Sequence, residues 1–315
     1  MNKTQNCLEQ NGINGKVKSI ETKTYYISRK SGKIKKGKLK EYSLRTFNKQ
    51  GKVLDEIYKD ADRQSKLKNR YDSKGNLKEE LVEINLKVGK DLTKDIYTIT
   101  LKQTYKYDSK GNIIECLHYN KTENFRKKIF FEYDPMGNII GKYSYNSKGD
   151  LIQKEIYTYN SEGKENEYSN YYKEHIINKN THKYDSQNNL IETNNYSFDN
   201  KLSKKIRYKY DNKGNKAEFI FNSNGELEEK NNFKANGKIV ENYITNSKGN
   251  LYLKNQFNYD SYGNLIERYS YDSNNNILTK ETHNYEFDQK GNWIKDIILK
   301  SIIGSNIINR KIDYY

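Results

Sequence analysis

Apolar and polar residues alternate along this chain in short runs of about seven, with small polar clusters between them. In Leu265-Ile266-Glu267-Arg268-Tyr269-Ser270-Tyr271, positions 265, 267, 269 and 271 point one way and the intervening three the other. Runs this short, rich in β-branched and aromatic residues, predict strands and not helices. An aromatic pair two residues apart closes many of them: Tyr105/Tyr107, Phe131/Tyr133, Tyr143/Tyr145, Tyr157/Tyr159, Tyr196/Phe198, Tyr208/Tyr210, Phe219/Phe221, Phe257/Tyr259 and Tyr285/Phe287. Each pair is expected to share one face just before a turn.

The clusters between runs repeat a motif. It reads FNKQGK from Phe47, YDSKGN from Tyr71 and Tyr107, YDPMGN from Tyr133, YNSKGD from Tyr145 and YNSEGK from Tyr159. It continues as YDSQNN from Tyr184, YDNKGN from Tyr210, FNSNGE from Phe221, YDSYGN from Tyr259, YDSNNN from Tyr271 and FDQKGN from Phe287, with degenerate copies at Phe233 and Thr245. A fixed period marks a repeat array. Asp or Asn in the second place suits a side-chain bond to a backbone N–H two residues on, and the Gly four places after the aromatic supplies the positive φ of a tight turn. Asn188 and Asn275 replace that glycine in two copies, and Asn is the residue that best tolerates the same conformation.

Strands joined by such turns pair antiparallel with their sequence neighbours. The expected fold is therefore all-β, an antiparallel meander of about twenty strands. At ~4.8 Å per strand it makes a ribbon roughly 95 Å long, which twist coils into a single spiral sheet or a partial shell. Residues 1–46 read as an N-terminal cap with the first strands, 47–294 as the repeats and 295–315 as closing strands, all in one continuous unit. An open sheet leaves two edges. The basic stretch Arg29–Lys40 is expected to blunt the first, while Asn306–Lys311 is left to dock a partner or a second copy, giving weak self-association.

YDSKGNLKEE, YDSKGNIIE, YDPMGNII, YDSYGNLIERYSYD and FDQKGNWI resemble the YD repeats of the RHS/YD family, with a looser likeness to MORN-variant repeats. The resemblance runs from about Phe47 to Ile294 and departs in having Gly-Asn where the family has Gly-Arg. RHS-type toxins carry an effector domain beyond their repeats, whereas only Lys295–Tyr315 follow here. The resemblance thus implies the scaffold and not a toxin activity.

Composition narrows the class. Only 33% of the 315 residues are apolar and 31% are charged, so a thick core is not expected, yet thirty tyrosines argue against disorder. The net charge of +16 favours acidic partners, but lysines interleave with glutamates, as in Lys78-Glu79-Glu80, which reads as solvated strand faces. Cys7 and Cys116 form no metal spacing or disulfide framework, and no apolar run is long enough for a membrane helix. Any export signal would lie outside this sequence.

No catalytic constellation stands out. His118, His175, His182 and His283 are scattered, the turn aspartates repeat with the unit and so serve the fold, and no phosphate loop or nucleophile elbow is present. No cofactor and no metal are expected. The candidate binding residues are Tyr143, Tyr157, Tyr208, Tyr269 and Trp293 as stacking surfaces, with Lys33, Lys35 and Lys36 as an electrostatic dock. Packing is the alternative role for the aromatic column, and for Trp293 in particular. These residues lead to the expectation of a non-enzymatic scaffold of the secreted space or cell envelope, without a membrane span, that binds a protein or glycan surface. Nucleic-acid binding through the basic, Tyr-rich surface is one alternative, and an enzyme hidden in Met1–Asn48 or Lys87–Thr104 is another.

Overall fold

The computed structural model describes residues 8, 12–30, 33–88, 95–120, 124–246, 249–301 and 304–315. Its strands are β1 (Val17–Lys30), β2 (Lys33–Phe47), β3 (Val53–Lys59), β4 (Arg63–Tyr71), β5 (Leu77–Val88), β6 (Asp95–Tyr107), β7 (Ile113–Tyr119) and β8 (Phe125–Tyr133). Next come β9 (Ile139–Asn146), β10 (Leu151–Tyr159), β11 (Glu165–Tyr172), β12 (His175–Tyr184), β13 (Leu190–Tyr196), β14 (Leu202–Tyr210) and β15 (Lys216–Asn222). The last are β16 (Leu227–Phe233), β17 (Ile239–Thr245), β18 (Leu251–Tyr259), β19 (Leu265–Tyr271), β20 (Ile277–Phe287), β21 (Trp293–Lys300) and β22 (Asn306–Tyr314).

Every strand pairs antiparallel with the next, and β22 pairs with β1 along a ladder from Val17↔Tyr314 to Tyr26↔Asn306. The sheet is thus a closed 22-stranded barrel. This corrects the expected open spiral or partial shell. It also removes the expected free edges: the segment Asn306–Lys311 is hydrogen-bonded on both sides, to β21 and to β1, and cannot dock a partner strand. The error lay in treating twist as the only curvature.

What closes the sheet is a steady register step. Ile20, Arg45, Glu56, Leu67, Val82 and Leu101 are successive cross-strand partners. Arg45 lies two residues before the end of β2, but Leu101 lies six before the end of β6. The pairing therefore drifts about one residue per strand from the rim where even-numbered strands end. That drift tilts the strands by roughly 35°, and 22 strands at ~4.8 Å then wrap a cylinder on the order of 40 Å across.

The step is made at the turns. In Tyr71-Asp72-Ser73-Lys74-Gly75-Asn76, the Asp72 N–H donates to the Asn76 carbonyl and the Gly75 N–H to the Asp72 carbonyl. One oxygen of the Asp72 carboxylate accepts the N–H groups of Lys74 and Asn76 at 2.9 and 2.8 Å, and the other accepts Asn76 Nδ2 at 3.1 Å. Gly75 has φ 82°, and Asn188 and Asn275 take the same conformation at 62° and 67°. Just inside the turn the register slips between Arg70 and Tyr71, so two residues of the outgoing strand oppose one of the incoming. The same slip recurs at most turns.

Along the rim where even-numbered strands end, tyrosines latch one turn to the one before. The hydroxyls of Tyr71, Tyr107, Tyr133, Tyr159, Tyr184, Tyr210, Tyr259 and Tyr285 donate at 2.6 to 3.0 Å to the carbonyls of Val53, Leu77, Ile113, Ile139, Glu165, Leu190, Ile239 and Leu265. This accounts for the tyrosine of the motif: it ties strand starts together around one rim.

Side-chain packing adds little. Among the described residues only Leu8, Val17, Ile20 and Phe47 form a buried apolar cluster, at the seam between β22 and β1. The chain exposes 20217 Å², against roughly 14,000 Å² for a compact monomer of this mass. The wall is one residue thick, and the substantial strand contacts are between ladder neighbours alone.

Three outcomes follow from this architecture. Tyr133→Phe removes a latch and is expected to lower stability by about 1 kcal/mol in urea unfolding, while Tyr145→Phe at the opposite rim changes it little. Deleting Asn306–Tyr314 bares the edges of β1 and β21, so size-exclusion chromatography should show higher oligomers or aggregates in place of a monomer. Backbone and Asn hydrogen bonds hold the carboxyls of Asp72, Asp108 and Asp185 below their ordinary value of 3.8. Their contribution is full above that value and is lost as pH falls through the depressed folded values, so a circular-dichroism melt should weaken progressively below about pH 4.

Candidate functional site

A closed barrel offers two walls, and the backbone decides which residues line each. Neighbouring strands are rotated by roughly −20 to −25°, which coils the strands of a barrel as a right-handed screw. With the latched rim uppermost, the register descends from β1 to β6, so successive strands lie to the right when seen from outside. On an upward strand, an L-residue whose own N–H and C=O point right carries its side chain toward the viewer. Asp72 bonds through both groups toward β5, so it points outward and Tyr71 points into the lumen.

One motif serves both rims with opposite results. Odd-numbered strands run the other way, so the aromatic pairs that end them, such as Tyr143/Tyr145 and Phe219/Phe221, face outward. Pairs that end even-numbered strands, such as Tyr105/Tyr107, Phe131/Tyr133, Tyr157/Tyr159 and Tyr208/Tyr210, face the lumen.

The inner wall is polar at mid-height. Asn231, Asn242, Asn255 and Ser270 are successive partners across β16 to β19. Asn242 Nδ2 donates to Asn231 Oδ1 at 2.9 Å, Asn255 Nδ2 to Asn242 Oδ1 at 2.8 Å, and Ser270 Oγ to Asn255 Oδ1 at 2.7 Å. Ion pairs share this wall: Arg45 with Glu56 at 2.8 Å and Lys142 with Glu155 at 3.2 Å. The outer wall carries its own, Glu115 between Lys106 and Lys128 at 2.9 and 2.8 Å and Lys183 with Glu192 at 3.0 Å. Neither wall presents an unbroken apolar band.

The sequence-derived candidates are scattered over this surface. Tyr157 and Tyr208 face the lumen, Tyr157 donating to Glu155 at 2.6 Å. Tyr143 and Tyr269 face outward, where they donate to Glu132 and Glu267. Lys33, Lys35 and Lys36 are exposed on β2, in the hairpin with β1, and Lys36 lies over the Tyr25 ring at 5.2 Å. Trp293 sits at the seam rim beside Tyr285, with the Arg310 guanidinium 3.3 Å above its ring. These residues therefore do not converge on one site. Cys7 lies outside the described residues.

The histidines are less isolated than their sequence positions imply. His283 Nδ1 meets Asp296 Oδ2 and its Nε2 meets Glu281 Oε1, both at 2.9 Å. The two carboxylates raise its pKa above the ordinary value of 6.5. Spacing of two along a strand places Glu281, His283 and Tyr285 on one face, a signal present in the sequence. Cys116 Sγ lies 3.4 Å from His118 Nε2 on the inner wall. Burial pushes the thiol up to about 11 and the imidazole down, so the pair is neutral and lacks the thiolate a nucleophile needs. Among the described residues no cluster of His, Cys, Asp or Glu is arranged to hold a metal ion.

Closure corrects the functional expectation as well. A scaffold presenting a long open ribbon to a protein or glycan, and equally a basic ribbon for nucleic acid, presupposed a surface that is instead rolled up with half of each strand facing a lumen. The expectation of no membrane span also falls, because it rested on helices. No helix is long and apolar enough to cross a membrane, but a closed barrel can cross with strands.

No protein-family model matches this chain, and no curated protein is similar to it in sequence. Among solved structures, a porin-like protein from Bacteroides uniformis is 11% identical with a TM-score of 0.31, the alignment covering 94% of this chain and 96% of that one. So slight a similarity bears on neither fold nor function, which rest on the strand registers and side-chain geometry.

Proposed function

We propose that this chain works through its lumen, as a wide water-filled barrel that admits hydrophilic solutes. Closure of β22 on β1 is the observation that carries the reading. Barrels of this strand number are too wide to be filled by their own wall side chains. The inner wall supports it, since the partly exposed Arg45–Glu56 and Lys142–Glu155 pairs suit water and not apolar cargo, and the buried Asn231–Ser270 ladder beside them is polar. Leu8, the one described residue before Gly12, packs at the seam. The reading concerns the lumen, and the labelling below is made on protein whose outer wall is open to water.

Gln103 and Thr104 are neighbours on β6 that face opposite walls. In a Cys7→Ser, Cys116→Ser background, Gln103→Cys and Thr104→Cys should both react with a small charged maleimide. A bulky polymer-linked maleimide should label Thr104→Cys alone. Failure of the small reagent at Gln103→Cys would mean a filled lumen, and equal labelling by the bulky one would mean an open sheet; either sinks the reading.

A further inference from the structure

The seam holds a feature that neither the repeat nor the lumen reading uses. Between the turns that follow β18 and β20, against residues 12–14, lies a cavity of about 420 Å³, a size common for small-molecule sites. Among the described residues its lining includes Arg310, Lys238, Trp293, Tyr262 and Phe287 and carries no carboxylate. Tyr262 and Phe287 stand 5.8 Å apart, and Tyr285 links Phe287 to Trp293 at 6.0 Å on each side, so the aromatic rings form a continuous wall.

Arg310 is the anomaly. Its guanidinium lies over the Trp293 ring at 3.3 Å, and its Nε is buried without a hydrogen-bond partner among the described residues. No carboxylate pairs with it there. Asp296 lies close enough to favour the charged guanidinium, but its Oδ2 is hydrogen-bonded to His283 and its buried Oδ1 has no hydrogen-bond partner among the described residues. Arg45, the other charge close by, is cationic and bonded to Glu56. A half-buried cation with no hydrogen-bonded carboxylate among the described residues is costly to hold, and an indole beneath it leaves the edge N–H groups for a two-point contact with an oxyanion. Lys238 adds a second positive charge across the cavity, where its ammonium donates to the Gly263 carbonyl and lies over the Tyr259 ring.

We propose that this seam cavity binds a small anion attached to a flat ring, with Arg310 and Lys238 holding the carboxylate or phosphate and Tyr262, Phe287 and Trp293 the ring. Two cations without a carboxylate select the charge, and the aromatic wall selects the planar body. The site stands on its own geometry, so its test is separate from that of lumen access.

Trp293 is the only tryptophan in the chain, so its fluorescence reports this cavity alone. Titration with phenyl phosphate should give a saturable change in emission. Inorganic phosphate and neutral benzyl alcohol should each bind at least about tenfold more weakly, since each satisfies half of the site. Arg310→Gln should weaken phenyl phosphate about tenfold or more through loss of the charge-assisted bonds. Tyr262 is 82% exposed, so Tyr262→Ala should keep the barrel folded while weakening binding by about threefold. A thermal melt confirms that each variant is folded. Equal affinity for phenyl phosphate and benzyl alcohol, unchanged affinity in folded Arg310→Gln, or no saturable change at all would overturn the assignment.

Discussion

The one-residue slip at most of the turns is the constraint on which this molecule depends. Without it, strands would pair squarely, and twist alone would wind the ribbon past itself. With it, each strand is displaced along its neighbour by about one residue, the strands tilt, and the sheet bends toward its own beginning. The Asp carboxylate that gathers the turn N–H groups and the Gly or Asn at positive φ are therefore more than punctuation. They set the shear of the barrel, and the shear with the strand number sets its width.

Stability in such a wall comes from the ladder and from pairs across it, because almost nothing is buried behind it. Cross-strand ion pairs, rings under lysines and Tyr hydroxyls on strand-start carbonyls each contribute little, about 0.2–1 kcal/mol. Their number and periodicity make the sum. The Asn231–Asn242–Asn255–Ser270 ladder belongs to the same economy, since four buried polar side chains satisfy one another along the circumference.

Chemistry that is not periodic gathers where the repeat is interrupted. The His283 pair with Asp296 and Glu281, the Arg310 guanidinium over the ring and the single tryptophan all lie on β20 to β22, next to the seam. Closing a repeat on itself requires a junction whose two sides are not equivalent. The turn motif that would join β22 to β1 is replaced by residues 12–16, where Asn14 and Asn292 exchange hydrogen bonds and Tyr314 bonds Asp288 and Asn292. Departure from local consistency is where function is to be sought in an otherwise regular fold.

The residues by themselves determined the strands, their antiparallel order, the conformation of each turn and the thinness of the wall. All of these rest on interactions within about a dozen residues: alternation, the Asx bond and the positive φ of Gly75 or Asn188. The tyrosine of the motif was legible as a packing position but not as a latch, because its acceptor lies about twenty residues back on the same rim. Closure was decided by tertiary structure alone, since a one-residue step is invisible in any single hairpin and acts only as a sum over 22 strands. That sum also decided which tyrosines face the lumen, why Tyr157 and Tyr208 part from Tyr143 and Tyr269, and why Arg310 ends over Trp293.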